Sequence, residues 1–84
     1  MRCIFTISGI KSEEVRIEAD IDSISDARIE ASRYVGELLQ EHPMAIWDGD
    51  EVRIEVSDHR NLLLFSIVTF GRNAASTIWV FSDL

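Results

Sequence analysis

Several residue classes are scarce in this sequence, and each scarcity excludes a class of protein. The single cysteine, Cys3, cannot form an internal disulfide, which excludes a disulfide-stapled scaffold. No hydrophobic run approaches the roughly 18 residues of a membrane span, and residues 1–7 lack the long apolar stretch of a signal peptide. Cations are also few, because eight Lys and Arg face fifteen Asp and Glu, and the net charge of -7 repels nucleic acid and anionic lipid. We therefore expect a cytoplasmic protein with no nucleic-acid partner and no membrane partner.

Nucleophilic catalysis has one candidate group in this chain, the thiol of Cys3 with His42 or His59 as its base. The cysteine lies among apolar residues in a predicted strand, where burial raises the pKa of a thiol and suppresses the reactive thiolate. His59 falls in a predicted turn, where solvated residues are the norm, and His42 at the predicted C-terminus of a helix, where the dipole favours an imidazolium. The sequence contains neither a Gly-rich phosphate loop nor a Ser elbow. We expect no catalytic residue and no enzymatic activity.

The other candidate site is the acidic turn formed by Asp48, Asp50 and Glu51. A calcium-binding loop needs further oxygen ligands at alternating positions and a closing Glu, which this segment lacks. Trp47 and His59 would complete a small-ligand or metal-dependent enzyme site only if the fold joined them to these carboxylates in one concave pocket. We expect no bound metal and no cofactor, and such a site is the least favoured alternative.

Alternation of polar and apolar residues predicts two strands in the first quarter of the chain. The first covers residues 2–8 and the second residues 14–19, with Gly9 marking the turn between them. The second strand carries charge at every other position, so we expect it to have one buried face and to lie at an edge of the sheet.

A β-hairpin is predicted at residues 51–70. Its first strand, residues 51–56, alternates between polar and apolar residues, whereas the run at residues 62–70 is apolar on both faces. Asp58 can start a type I turn and Asn61 can take the left-handed conformation, which gives a hairpin loop with a bulge. This register predicts that three side chains of the second strand face the helix: Leu63, Phe65 and Ile67.

An amphipathic helix is predicted between the two pairs of strands. Ser23 is placed to cap it, Asp26 favours the positive end of its dipole, and Pro43 stops it by about His42. Ile29 lies away from the apolar stripe and is expected to be exposed. The stripe itself comprises Ile24, Ala27, Ala31, Tyr34, Val35 and Leu38.

The element order β-β-α-β-β predicts a two-layer α+β fold with one helix on one face of a four-stranded sheet. Because the first and fourth strands carry apolar residues on both faces, we expect them to be central and the second and third strands to be edges. This gives the order 2-1-4-3 with parallel central strands, as in β-grasp folds. The alternative is an all-antiparallel sheet with the same helix.

The second face of that sheet, opposite the helix, is predicted to be partly apolar and in need of a cover. Residues 1–71 form the predicted domain, and the tail at residues 72–84 turns aromatic and β-branched after Thr77. The tail either adds a fifth strand to its own sheet or docks on a second copy of the chain. The predicted interface therefore combines the apolar residues of the second face with those of the tail: Ile4, Leu62, Leu64, Val68, Ile78, Trp79, Val80 and Phe81.

The chain resembles a known family in its first strand, in its helix with the segment Asp26-Ala27-Arg28-Ile29-Glu30-Ala31, and in Trp47 followed by the strand and turn at residues 52–58. The family consists of short bacterial proteins described only as a domain of unknown function. The resemblance covers about residues 2–70 and implies no activity and no site residue. Asn61 stands where family members often have Gly, and the tail after Gly71 follows no family pattern.

These observations predict a non-enzymatic protein-interaction module that forms a homodimer. This prediction is based on the apolar second face of the sheet, the aromatic tail and the acidic surface. The chain also contains no recognisable set of catalytic residues. A small regulatory partner of another protein is the alternative, with Ile29, the tail and the acidic strand faces as its binding surface.

Overall fold

The computed structural model describes residues 1–10, 13–47 and 51–72. Within these ranges the chain forms four strands, one helix and a 3₁₀ turn at Ala45–Trp47 before the third strand. The predicted boundary at residue 71 and the interface residues of the tail lie at or beyond the end of the described residues and stay predictions. The elements are β1 (Arg2–Ile10), β2 (Glu13–Asp20), α1 (Ile24–Glu41), β3 (Val52–Asp58) and β4 (Leu63–Thr69).

The four strands form one antiparallel sheet in the order β2-β1-β3-β4, and α1 packs on one face. The predicted α+β class with one helix on a four-stranded sheet is confirmed. The predicted order 2-1-4-3 with parallel central strands is wrong, because among the four described strands β3 is central and β4 is an edge. The all-antiparallel alternative describes the sheet that the structure has.

The observed strand order differs from the predicted one because alternating polar and apolar residues in β3 indicate that one face is covered, and do not indicate an edge position. Val52, Ile54 and Val56 are fully buried towards the core, while Arg53 and Glu55 between them point to the second face. A central strand in a sheet with a helix on one side only needs apolar residues at every second position. The doubly apolar run of β4 therefore belongs to an edge strand whose side chains are only partly buried or exposed.

Gly9 lies inside β1 and does not end it, so the strand is longer than predicted. A register shift between Ile7 and Ile10 accommodates it, and its φ of 100° is in the left-handed region. A Cβ at Gly9 would overlap the backbone carbonyl oxygen of Glu51. Glycine is therefore required here both by backbone conformation and by space.

The helix begins and ends as the sequence predicts. The Ser23 hydroxyl accepts a hydrogen bond from the backbone N–H of Asp26 at 3.1 Å, and the helix ends at Glu41, with His42 as its cap. Within the predicted stripe, Ala27 and Ala31 are fully buried, whereas Ile24 is largely exposed. Ile29 is 67 % exposed, as expected from its place outside the stripe. Among the described segments, no helix combines the length and the hydropathy needed to cross a bilayer.

The core lies between α1 and the two central strands. Phe5 is its largest fully buried side chain, and the ring of Tyr34 meets it edge-on with centroids 5.3 Å apart. Phe65 and Ile67 of β4 pack against this core, which confirms their predicted orientation. The buried cluster comprises Cys3, Phe5, Ile7, Ala27, Ala31, Ile54 and Val56.

Candidate interaction surface

The two edges of the sheet differ sharply in charge. β2 carries five charged residues among its eight, whereas the chain from Asn61 to Gly71, which includes β4, carries none. Soluble proteins protect an edge strand from pairing with other chains by placing charged residues or proline on it. The β2 edge has this protection and the β4 edge lacks it.

The β3–β4 turn is built around the carboxylate of Asp58, which is almost fully buried. Its Oδ1 accepts the backbone N–H of Arg60 at 2.8 Å and of Leu62 at 3.0 Å, and its Oδ2 accepts the Arg60 guanidinium at 3.1 Å. The bond from the Leu62 amide contributes most to holding the pKa of Asp58 below its usual range, and the Arg60 bonds add to it. Asn61 has a φ of 68°, which confirms the predicted left-handed position. The turn thereby fixes where β4 starts.

A bulge at the start of β4 changes which leucines face the core. Val56 pairs with Phe65 but Ser57 pairs with Leu63, so Leu64 is the extra residue. Leu64 packs against the buried cluster, whereas Leu63 is 52 % exposed. The prediction that Leu63 faces the helix is wrong for this reason, and Leu64, predicted for the second face, contacts the core.

The remaining predicted interface residues of the described part lie in two separate places. Ile4 is on the second face between Glu18 and Ser57, and it is only 8 % exposed. Val68 is 43 % exposed on the same face beside Arg53, and Leu62 is exposed in the turn at the other end of β4. Val68 pairs with Arg53, four residues along β3 from Ser57, the partner of Ile4, and Leu62 lies in the turn that precedes β4. Residues 78–81 lie outside the described residues.

The far end of β4 is anchored to the 3₁₀ turn. The Gly71 backbone N–H donates to the carbonyl of Ile46 at 3.1 Å, and a Cβ on Gly71 would lie 2.6 Å from Cε3 of the Trp47 ring. Phe70 is exposed, with the Arg72 guanidinium 5.8 Å from its ring centroid. Both ends of the strand are therefore held in place, by Asp58 at the start and by the Trp47 contact at the end.

Trp47 and His59, two described residues that were considered for chemistry, lie far apart in the sheet. Trp47 lies beside the end of β4, whereas His59 is in the turn at the other end of β3, and a seven-residue strand spans about 20 Å. Burial raises the pKa of the Cys3 thiol, which is fully buried. Over residues 1–10, 13–47 and 51–72, no three His, Cys, Asp or Glu side chains come close enough to hold a metal ion. Asp48 and Asp50 lie outside the described residues.

Two exposed residues of the β4 edge escaped sequence reasoning, Leu63 and Phe70. The signal that indicates them is the uncharged run at residues 61–71, which the strand pattern alone assigned to the middle of the sheet. An apolar run without charge marks a buried central strand or an unprotected edge equally well. Which of these two positions β4 takes depends on the strand that pairs with β1, and that pairing is seen only in the structure.

Comparison with known protein families identifies the family of this chain. Residues 11–71 match the family described as Domain of unknown function (DUF6894). The chain belongs to this family. The match confirms the predicted resemblance to a domain of unknown function, and the DUF6894 region contains β2, α1, β3, β4 and Gly71. A search of curated proteins and a search of solved structures each found no match. In this DUF6894 chain, both edges of the sheet and the Asp58 turn are therefore within the family region, whereas β1 and the tail are outside it.

Proposed function

We propose that this protein is a non-enzymatic interaction module that forms a homodimer by pairing β4 with β4 of a second copy. The observation that carries the proposal is the contrast between the charged β2 edge and the uncharged β4 edge. Outward-pointing N–H and C=O groups of an unprotected edge strand are a template for another strand. Two copies related by a twofold axis would satisfy these groups and form one eight-stranded sheet.

The side chains of β4 support antiparallel pairing of this kind. With the axis near Ser66, Phe65 of one copy lies opposite Ile67 of the second copy on the helix side. Both residues already pack against the core of their own chain while keeping part of their surface accessible. Aromatic and β-branched residues facing each other across strands add about 0.2–1 kcal/mol per pair. The dimer would thus continue the core across the axis.

Strand pairing of seven residues alone buries less surface than most stable interfaces, which require about 1,200 Å² or more. The interface can gain area from the exposed apolar residues on or beside β4, which are Leu62, Leu63, Val68 and Phe70. The predicted contribution of Ile78, Trp79, Val80 and Phe81 belongs to this proposal as additional cover. A cytoplasmic location in a bacterium is also part of it, and is supported by the unpaired buried thiol of Cys3 and by the family resemblance.

Sedimentation of the full chain at micromolar concentrations tests the proposal. We expect the wild-type protein to sediment as a species of twice the 9.6 kDa of one chain. Ser66→Lys should shift it to a monomer, because it places two like charges near the axis, where they repel each other. Within one copy the new lysine lies beside Glu55, its cross-strand neighbour, so the fold should tolerate it.

Ser32→Lys is the matched control, since it makes the same change at an exposed position of α1 and should leave the dimer intact. A wild-type protein that remains monomeric throughout the concentration series would contradict the proposal. So would a Ser66→Lys variant that dimerises as well as the control. A monomer would favour the tail as a fifth strand of its own sheet.

A second candidate function, a regulatory partner of another protein, is favoured by one observation. Ile29 is 67 % exposed on the outer side of α1, the largest exposed fraction among the large hydrophobic side chains of the described residues. Comparing wild-type and Ile29→Lys baits in a pull-down tests it. A partner that is recovered with the wild type and lost with the variant would support this function. Identical recovery would show that Ile29 is not part of the binding surface.

A further inference from the structure

A cavity of about 350 Å³ lies between the second half of α1 and the β1–β2 hairpin, on the helix side of the sheet. Ile7, Val15, Ile17 and Leu38 form its apolar wall. Cavities of this size, mostly apolar with a few polar groups, are typical of small-molecule sites. It is separate from the β4 edge, because β1 and β3 lie between β2 and β4.

The cavity exists because α1 does not cover the sheet evenly. The helix lies closest to β3, where the short side chains of Ala27 and Ala31 are fully buried. The β2 side of the same face therefore receives less cover. Ile17 is only partly buried, and Val15 is 48 % exposed although it points to the same side as the core. An apolar surface within a concave site is left accessible to a ligand.

The rim of the cavity is negative. Glu13 of β2 and Glu37 and Glu41 of α1 line it, and the last turn of α1, whose carbonyl groups form the negative end of the helix dipole, contains no basic residue. Arg33 offsets Glu37 in part, with its Nη1 3.6 Å from Oε1 of that carboxylate. Glu13 and Glu41 form no ion pair with any side chain in the described part of the chain. Both carboxylates line the cavity.

We infer that this cavity binds a small organic cation, an ammonium group attached to a compact apolar body. The apolar wall buries the body, and the carboxylates of Glu13 and Glu41 attract the ammonium group at the mouth. Tyr34 also lines the cavity, and the Arg33 guanidinium already lies 5.8 Å from the centroid of its ring. An anion of the same shape would meet three carboxylates and the negative end of α1 against one imidazole, that of His42, which also lines the cavity, so the site selects by charge.

Titration of the full-length ¹⁵N-labelled protein with 2-phenylethylammonium tests this inference by chemical-shift mapping. Phenylacetate and 2-phenylethanol carry the same ring with a negative charge or no charge, and they serve as ligand controls. We expect 2-phenylethylammonium to shift the amides around Val15, Leu38 and Glu41. It should bind at least about tenfold more tightly than phenylacetate, because a hydrogen bond to a charged group is worth that much. Added salt should weaken the binding.

Two variants separate the site from the general negative charge of the protein. Combined Glu13→Gln and Glu41→Gln should weaken binding of 2-phenylethylammonium about tenfold. Val15→Phe should also weaken it, because the larger side chain takes up part of the cavity. Glu14→Gln is the matched control, because Glu14 is exposed and does not line the cavity, and binding should be unchanged. Equal binding of all three ligands, amide shifts confined to other surfaces, no binding at 10 mM ligand, or an equal effect of Glu14→Gln would each overturn the inference.

Discussion

Gly9 offers a direct test of the fold, because the structure demands glycine there for two independent reasons. Its φ of 100° disfavours any side chain, and a Cβ would overlap the carbonyl oxygen of Glu51. A left-handed backbone costs an L-residue about 1–2 kcal/mol, and moving a backbone carbonyl in a paired region adds strain. We expect Gly9→Ala to lower the free energy of unfolding by about 2–4 kcal/mol. That is a large part of the stability of a domain of this size.

Gly36→Ala is the matched control for this change. Gly36 is exposed in the interior of α1, and a Cβ there meets no atom within 4 Å. Alanine should therefore raise the free energy of unfolding by about 0.5–1 kcal/mol, through helix propensity and a less flexible unfolded chain. Urea denaturation at one fixed protein concentration measures the free energy of unfolding of both variants. A neutral Gly9→Ala, or changes of the same sign at both positions, would refute the reasoning.

Three further predictions concern single side chains. Phe65→Ala should lower the free energy of unfolding by about 3 kcal/mol in urea denaturation, and a change near zero would show that Phe65 does not pack on the core. The pKa of Asp58 is lower in the folded than in the unfolded chain, so its stabilisation is complete above about pH 5 and is lost as the pH falls through the folded pKa. Asp58→Asn should flatten the loss of stability measured between pH 5 and 2, and an unchanged slope would contradict this role. The Cys3 thiol should react with a thiol reagent in denaturant but hardly at all in the folded protein, and rapid labelling of the folded protein would contradict its burial.

Local signals in the sequence predicted local structure well. The Ser23 cap, the end of α1 before Pro43 and the left-handed Asn61 each depend on a few neighbouring residues, and all three are confirmed. Backbone preferences of this kind act over one turn of chain. They are therefore readable without knowledge of the tertiary fold.

Strand order was not readable in the same way, because it depends on which faces are covered. Alternation in β3 and the uncharged apolar run of β4 fit more than one order, and the antiparallel pairing of β1 with β3 decides between them. Because of the bulge at Leu64, Leu64 contacts the core and Leu63 is exposed, the reverse of the prediction. Both effects arise from long-range pairing, which a single sequence specifies weakly.

The candidate sites likewise combine features that are visible in the sequence with features that depend on the tertiary fold. The uncharged run of β4 is visible in the sequence, but its meaning as an edge requires the sheet order. The cavity at Val15 and Leu38 depends on how far α1 lies from β2, and no residue pattern encodes that distance. Its acidic rim joins residues from two elements that are distant in the chain.

Hydrogen exchange of the β4 backbone amides, measured at several protein concentrations, tests the proposed edge-to-edge dimer most directly. The amides of β4 that point away from β3 have no partner strand in one copy among the described residues. If two copies pair through this edge, we expect protection of these outward amides to rise with protein concentration, while the amides paired with β3 stay protected throughout. Outward amides that exchange freely at every concentration, or that are equally protected at concentrations where the chain sediments as a monomer, would contradict the dimer.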